Sequence, residues 1–241
     1  MFIEAGILMN VKADEYVAVF GIQREGPSVP EANERMNTAV REFTEALRSL
    51  NIGEQDIFVD FVTQPKIYEF ELSADIARER VAGFEIKKNV SVHYRDFSLI
   101  DKLMGAAAKA GVYDLIKVDY IIKDIGAIQA KLMEEASAVI KQRLDRYERL
   151  LGIKVQGPGQ IYAERPSVYY PSQLYDSYAA VETESINRPP QRYTVQQARK
   201  TRTFFFNALD GNGFDKVINP VVIAPMVQVT LYLKVKYDVA Q

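Results

Sequence analysis

The 241 residues carry 30 Lys and Arg against 32 Asp and Glu, one His and no Cys, for a formal net charge of −2. So small a charge removes the electrostatic basis for a nucleic-acid or anionic-membrane partner, and the missing thiol excludes disulfides, thiolate catalysis, Cys-ligated zinc and iron–sulfur clusters. An apolar fraction of 48% in a chain this long can fill a sizeable core, and a chain without cysteine suits an oxidising or a reducing compartment equally.

The opening run MFIEAGILMN has no basic start, is short, and is interrupted by Glu4, so it does not read as a signal peptide. Residues 1–14 are therefore expected to be an N-terminal extension, with the folded part beginning near Val11. No stretch approaches the roughly 18 apolar residues of a spanning helix, and no transmembrane segment is expected.

Residues 15–23 read as a strand with apolar side chains on both faces (Tyr16, Ala18 and Phe20; Val17, Val19 and Ile22), which places it centrally in a sheet. After a turn at Gly26-Pro27, Ser28-Val29-Pro30-Glu31 fits a capping box with proline in the first turn. From there Val29, Ala32, Met36, Ala39, Val40, Phe43, Leu47 and Leu50 recur at three- and four-residue steps and predict a helix over 28–50. A second strand is expected over 56–71, bent at Pro65, because proline cannot donate a ladder hydrogen bond. A polar stretch with Asp75, Arg78, Glu79 and Arg80 leads to Gly83. The alternation of Phe84, Ile86, Val90, Val92 and Tyr94 with Glu85, Lys87, Asn89, Ser91 and His93 then predicts a half-solvated antiparallel strand. A helix over 97–110 stopped by Gly111 and a strand over 115–123 complete this half.

The longest element is a helix over 125–151, with Ile128, Leu132, Ala136, Val139, Ile140 and Tyr147 as its apolar stripe and Gly152 at its end. Its far half is charged (Lys141, Arg143, Asp145, Arg146, Glu148, Arg149). That face is either solvated, with pairs such as Asp145–Arg149, or packs on a neighbouring subunit. Residues 157–200 hold five of the ten prolines and six of the fourteen tyrosines. Tyrosine gives large contact area at low entropic cost, so Tyr162, Tyr169, Tyr170, Tyr175, Tyr178 and Tyr193 are candidate interface residues. The segment either contacts another subunit or packs back on its own sheet. Strict alternation from Val227 to Asp238 predicts a closing strand.

The pattern as a whole predicts an α+β fold: an antiparallel sheet in βαββαβ (ferredoxin-like) order, plus a long third helix and C-terminal strands. The domain organisation expected is the extension 1–14 followed by one domain, 15–241. Within it, 15–124 forms the βαββαβ part, and 125–241 holds the long helix, the Tyr/Pro-rich excursion and the closing strands.

Chemistry is scarce. His93 is the sole histidine, sits on a polar strand face and has no second histidine for a metal pair. No GxSxG, P-loop or HExxH pattern occurs. Asp210-Gly211-Asn212-Gly213-Phe214-Asp215 lacks the ligands of a calcium loop, since its fifth, sixth and twelfth places hold Phe214, Asp215 and Val221; a turn is expected. Glu134 and Glu135 project about 100° apart on their helix and share no site. Arg192, Arg199, Lys200 and Arg202 beside Tyr193 make a basic cluster too modest for an RNA partner at this net charge. No catalytic residue, cofactor or metal ligand is assigned, and no enzymatic activity is expected.

Four segments carry a family resemblance: Ala46-Leu47-Arg48-Ser49-Leu50-Asn51-Ile52 followed by Asp56-Ile57; Gly83-Phe84-Glu85 opening an alternating strand; Ala107 to Gly111 before a strand; and Leu150-Leu151-Gly152-Ile153-Lys154-Val155 with Gln160-Ile161 and Glu164. In this order and spacing, over about residues 16–239, the chain resembles the SIMPL-domain family, bacterial envelope proteins of unknown function that include periplasmic immunogenic proteins. The resemblance implies an exported, non-enzymatic protein of the periplasm or cell surface. It also implies an oligomer, a link to envelope stress, and a cleavable leader encoded upstream of about Val11. The expected function is self-assembly into a homo-oligomer in the envelope; the alternative is a periplasmic binder of small molecules or peptides that uses the Tyr-rich 157–200 segment.

Overall fold

The structure, a computed structural model, describes residues 1–73, 75–178 and 203–240. In chain order the first elements are β1 (Phe2–Val11), β2 (Glu15–Gly26), α1 (Val29–Arg48), β3 (Ile57–Thr63), β4 (Lys66–Ser73) and β5 (Ile76–Tyr94). Then follow α2 (Ile100–Lys109), β6 (Asp114–Ile121), α3 (Ile125–Leu151) and β7 (Val155–Tyr169). The described elements close with β8 (Tyr175–Tyr178), β9 (Thr203–Phe206), β10 (Lys216–Ile218) and β11 (Val227–Val239). They form two compact units, Ala13–Lys123 and Met1–Lys12 with Asp124–Gln241.

In the contiguous unit the sheet runs β3-β5-β2-β6, antiparallel throughout, with β4 paired to the outer part of β5. The α+β class holds. β2 is central, as its two apolar faces require. Tyr16 stands in register with Tyr94 on one side and Tyr120 on the other, stacked on the first at 5.3 Å and edge-on to the second at 5.3 Å. The Ser28 side chain accepts the Glu31 N–H at the start of α1, which buries Ala32, Met36, Ala39, Phe43 and Leu47 along one stripe. Phe43 meets Phe20 of β2 edge-on at 5.1 Å. Burying a side chain of that size stabilises the fold by about 1.5–3 kcal/mol. α2 buries Leu103, Ala106 and Ala107 and lies against α1.

Two expectations change here. The strand expected over 56–71 is two strands, because the chain leaves the ladder at Gln64-Pro65. The polar stretch before Gly83 is the first part of β5, since Arg78 stands opposite Glu71 and Arg80 opposite Glu69, and cross-strand pairing of opposite charge supports an exposed strand. Gly83 marks where this strand enters the main sheet. A Cβ there would lie 2.8 Å from the Gly26 carbonyl oxygen, so the backbones approach this closely only with glycine.

In the discontinuous unit the sheet order is β10-β1-β11-β7. β1 runs antiparallel to β11 over its whole length and parallel to β10. One face carries Ile3, Ala5, Ile7 and Met9 opposite Val235, Leu233, Leu231 and Val229, all buried, beneath α3. From its side α3 buries Leu132, Ala136 and Ile140. Residues 1–14 are thus no extension, and folding does not begin near Val11: β1 is an inner strand of this unit. The Glu4 that interrupts its apolar run points to the opposite face and pairs with Lys234.

On that opposite face Leu8, Asn10, Gln228 and Thr230 are also buried. Gln228 donates to Asn10 Oδ1 (2.6 Å) and accepts the Leu209 N–H (2.6 Å); Asn10 and Asn219 exchange amide-to-carbonyl bonds at 2.9 and 3.0 Å. Each buried amide therefore has partners, which is what burial of polar groups requires. At the far half of α3, Arg143 reaches the Glu4 carbonyl and the Asp215 carboxylate, so this part of the charged face is tied to its own unit, while Leu150 and Leu151 stay exposed. Asp210 caps a single turn, Gly211–Gly213, by accepting the Asn212 N–H. β8 and β9 form a separate two-stranded ladder.

Candidate functional site

The densest charge cluster of the contiguous unit sits where β2, β5 and β6 end. Glu15 opens β2 and receives Lys123 Nζ at 2.8 Å and Arg95 Nε at 3.1 Å on one oxygen. Its other oxygen lies 3.3 Å from His93 Nε2, and His93 Nδ1 lies 2.7 Å from Asp56 Oδ1. The hydrogen bond from Lys123 outweighs burial and, with those of Arg95 and His93, holds the Glu15 carboxyl down at about 2. His93, which has no second histidine for a metal pair, is thus paired with two carboxylates instead. Those partners are 37 and 78 positions away along the chain.

Chemically this cluster is a clamp. Both nitrogens of His93 face carboxylates, Nδ1 at 2.7 Å and Nε2 at 3.3 Å. A ring held in this way offers no free nitrogen as a general base, whose first requirement is reach to a substrate proton.

The candidate tyrosines are placed one by one. Tyr162 meets Phe2 edge-on at 4.9 Å, with Lys234 Nζ 5.0 Å from the Phe2 ring centroid and 5.7 Å from that of Tyr162. Tyr169 is half-buried at the end of β7, opposite Gln228, and Tyr170 follows it into a single turn. Tyr175 packs edge-on against Phe206 at 5.9 Å, and burial raises the pKa of its hydroxyl. Tyr178 ends β8, while Tyr193 and the basic cluster Arg192, Arg199, Lys200 and Arg202 lie outside the described residues. The open groove of about 370 Å³ beside Tyr175 is lined by Leu174, Asp176, Asn207 and Leu209 among others, and takes in one of the six tyrosines.

A surface that the sequence reading did not single out is the arm formed by β4 and the first part of β5. Register places Tyr68, Phe70 and Leu72 on one face with Val81, Glu79 and Ala77, and Glu69 and Glu71 on the other with Arg80 and Arg78. On the first face Tyr68 is 51%, Phe70 68%, Leu72 78% and Val81 45% exposed. β2 pairs with β5 only from Phe84 onward, and among the described residues no strand pairs with the outer edge of β4. The arm is a two-stranded ribbon with one apolar face and two open edges. Its signal was present as the alternation Tyr68, Phe70, Leu72, masked by the charges of 75–80.

Such a fold and surface define an α+β protein that exposes an apolar strand face, and that also carries an open groove of about 410 Å³ lined by Arg24, Glu34, Arg35 and Glu42. A family model described as SIMPL, protein of unknown function (DUF541), matches residues 9–202. The chain belongs to the SIMPL family. A comparison with curated proteins gave no match. No helix among the described residues is long and apolar enough to cross a membrane.

Proposed function

We propose that this chain is a non-catalytic envelope protein, exported to the periplasm or cell surface, that works by assembling with copies of itself. The observation that carries the reading is the β4–β5 arm. Its apolar face is exposed, no strand among the described residues pairs with its outer edge, and a lone two-stranded hairpin is marginal in water. Self-association covers such a surface without any further component. Kinship with the SIMPL family supports export and a part in envelope stress. The clamp at Glu15 and His93 supports a structural role for the one histidine.

Native mass spectrometry and light scattering at micromolar concentration test the assembly. A defined multimer is expected, and a monomer throughout that range overturns the reading. Fractionation of cells that express the whole gene tests export; recovery in the cytosol alone overturns that part.

A further inference from the structure

We infer that two copies join through β4, edge to edge and antiparallel about a two-fold axis at Phe70, so that two arms make one four-stranded ribbon. The inference rests on the self-assembly reading and names its surface. Three observations converge on a second copy as the occupant.

The first is the edge. From Tyr68 to Ser73, β4 contains no proline or lysine, the residues that commonly blunt open edges, and its outward N–H and C=O groups stand ready for another strand.

The second is register. Opposed residues in an antiparallel pair share a face, so a shift of one residue would mix the apolar and charged faces. Centring on Phe70 sets Phe70 against its own equivalent and Tyr68 against Leu72, so every apolar residue of this face of β4 meets another. Centring on Glu69 instead would set Leu72 against Lys66 and Glu69 against itself. On the charged face the Phe70 register places Glu69 opposite Glu71 of the other copy, each flanked within its own arm by Arg80 or Arg78. The four side chains sum to zero charge in each arm, so the joined face is a neutral ladder.

The third is contact along the seam. Tyr68, Phe70 and Leu72 are 51%, 68% and 78% exposed in one copy, and the pairing sets each of them beside an apolar side chain of the other, while Val81 on β5 stands one strand away from the seam.

The chain has no cysteine, so introduced thiols report directly. In this register the two Phe70 Cα atoms stand about 4.5–5.5 Å apart, within disulfide range. Under mild oxidation Phe70→Cys should form a disulfide dimer at least about tenfold faster than Ile223→Cys, an exposed control. Tyr68→Cys and Leu72→Cys should cross-link to each other when mixed, and only slowly to themselves. Phe70→Glu, with an unchanged circular-dichroism spectrum, should at least halve the mass seen by native mass spectrometry. If the wild type is a multimer but Phe70→Glu keeps its mass and Phe70→Cys cross-links no faster than the control, the arm is not the contact and self-assembly stands without it. If the wild type is a monomer, both readings fall.

Discussion

Gln228 and Asn10 face each other in register across β11 and β1, and the Gln228 amide donates to Asn10 Oδ1 at 2.6 Å beneath the segment that carries Leu209 and Asn219. Gln228 and Asn10 are themselves buried, while their bonds to the Leu209 N–H and to Asn219 reach a partly exposed segment. Gln228→Leu leaves Asn10 Oδ1 unpaired in a buried site and the Leu209 N–H unpaired in a part-buried one. The expected loss is about 2–4 kcal/mol in the urea transition of this unit, more than a surface amide would give.

Acid should find the clamp at Glu15. Its carboxyl titrates near 2 in the folded protein against 4.5 when unperturbed, held down first by the Lys123 hydrogen bond. A depressed carboxyl contributes stability that is present in full above its unfolded pKa and is lost as pH falls through the folded one. The urea midpoint of the wild type should therefore decline between pH 4.5 and 2. Glu15→Gln should lower the midpoint at neutral pH and decline less across that window; a parallel decline in the two proteins would show that the clamp does not contribute.

Tyr94 is 3% exposed and stacks on Tyr16, yet its hydroxyl has no hydrogen-bond partner among the described residues. Burial, and then Tyr16, push its ionisation well above that of a free phenol. Tyr94→Phe keeps the ring and removes the orphan oxygen, so it should stabilise the protein by about 1 kcal/mol and raise the melting temperature. A lower melting temperature would show that the hydroxyl has a partner.

Gly83 and Gly105 make a matched pair of tests. A Cβ at Gly83 would press to 2.8 Å on the Gly26 carbonyl, and backbone cannot swing away as a side-chain end can, so Gly83→Ala should cost about 1–3 kcal/mol. At Gly105, inside α2, nothing lies within 4 Å, and Gly105→Ala should gain about 0.5–1 kcal/mol from helix propensity alone. Urea unfolding of the two variants should move in opposite directions.

Local chemistry made some elements legible. The Ser28 cap and the stripe from Ala32 to Leu47 announce α1, the span from Ile125 to Gly152 announces α3, and strict alternation announces β11, because in each the deciding interactions lie within a few residues. β1 was not legible. With Glu4 on one face and Leu8 buried on both counts of pattern and place, its ten residues alternate poorly until β11 stands beside them. The Arg78–Glu79–Arg80 stretch reads only as polar for the same reason: the acids that make it a strand are on β4. His93 looked solitary because Asp56 and Glu15 reach it only through the sheet register. The tyrosines are abundant in residues 157–200, but abundance in sequence does not say which faces they occupy.

The pairing of β1 with β11 also sets a timetable. Val11 waits for Val227 and Ile7 for Leu231, so about 200 residues must be added before the earlier strand acquires its neighbour. The unit Ala13–Lys123 is contiguous, and all of its residues are made long before that. At ~5–20 residues per second, β1 remains a bare apolar strand for on the order of ten to forty seconds of synthesis. During that interval it is a natural client for a chaperone, and β11 is the strand that releases it.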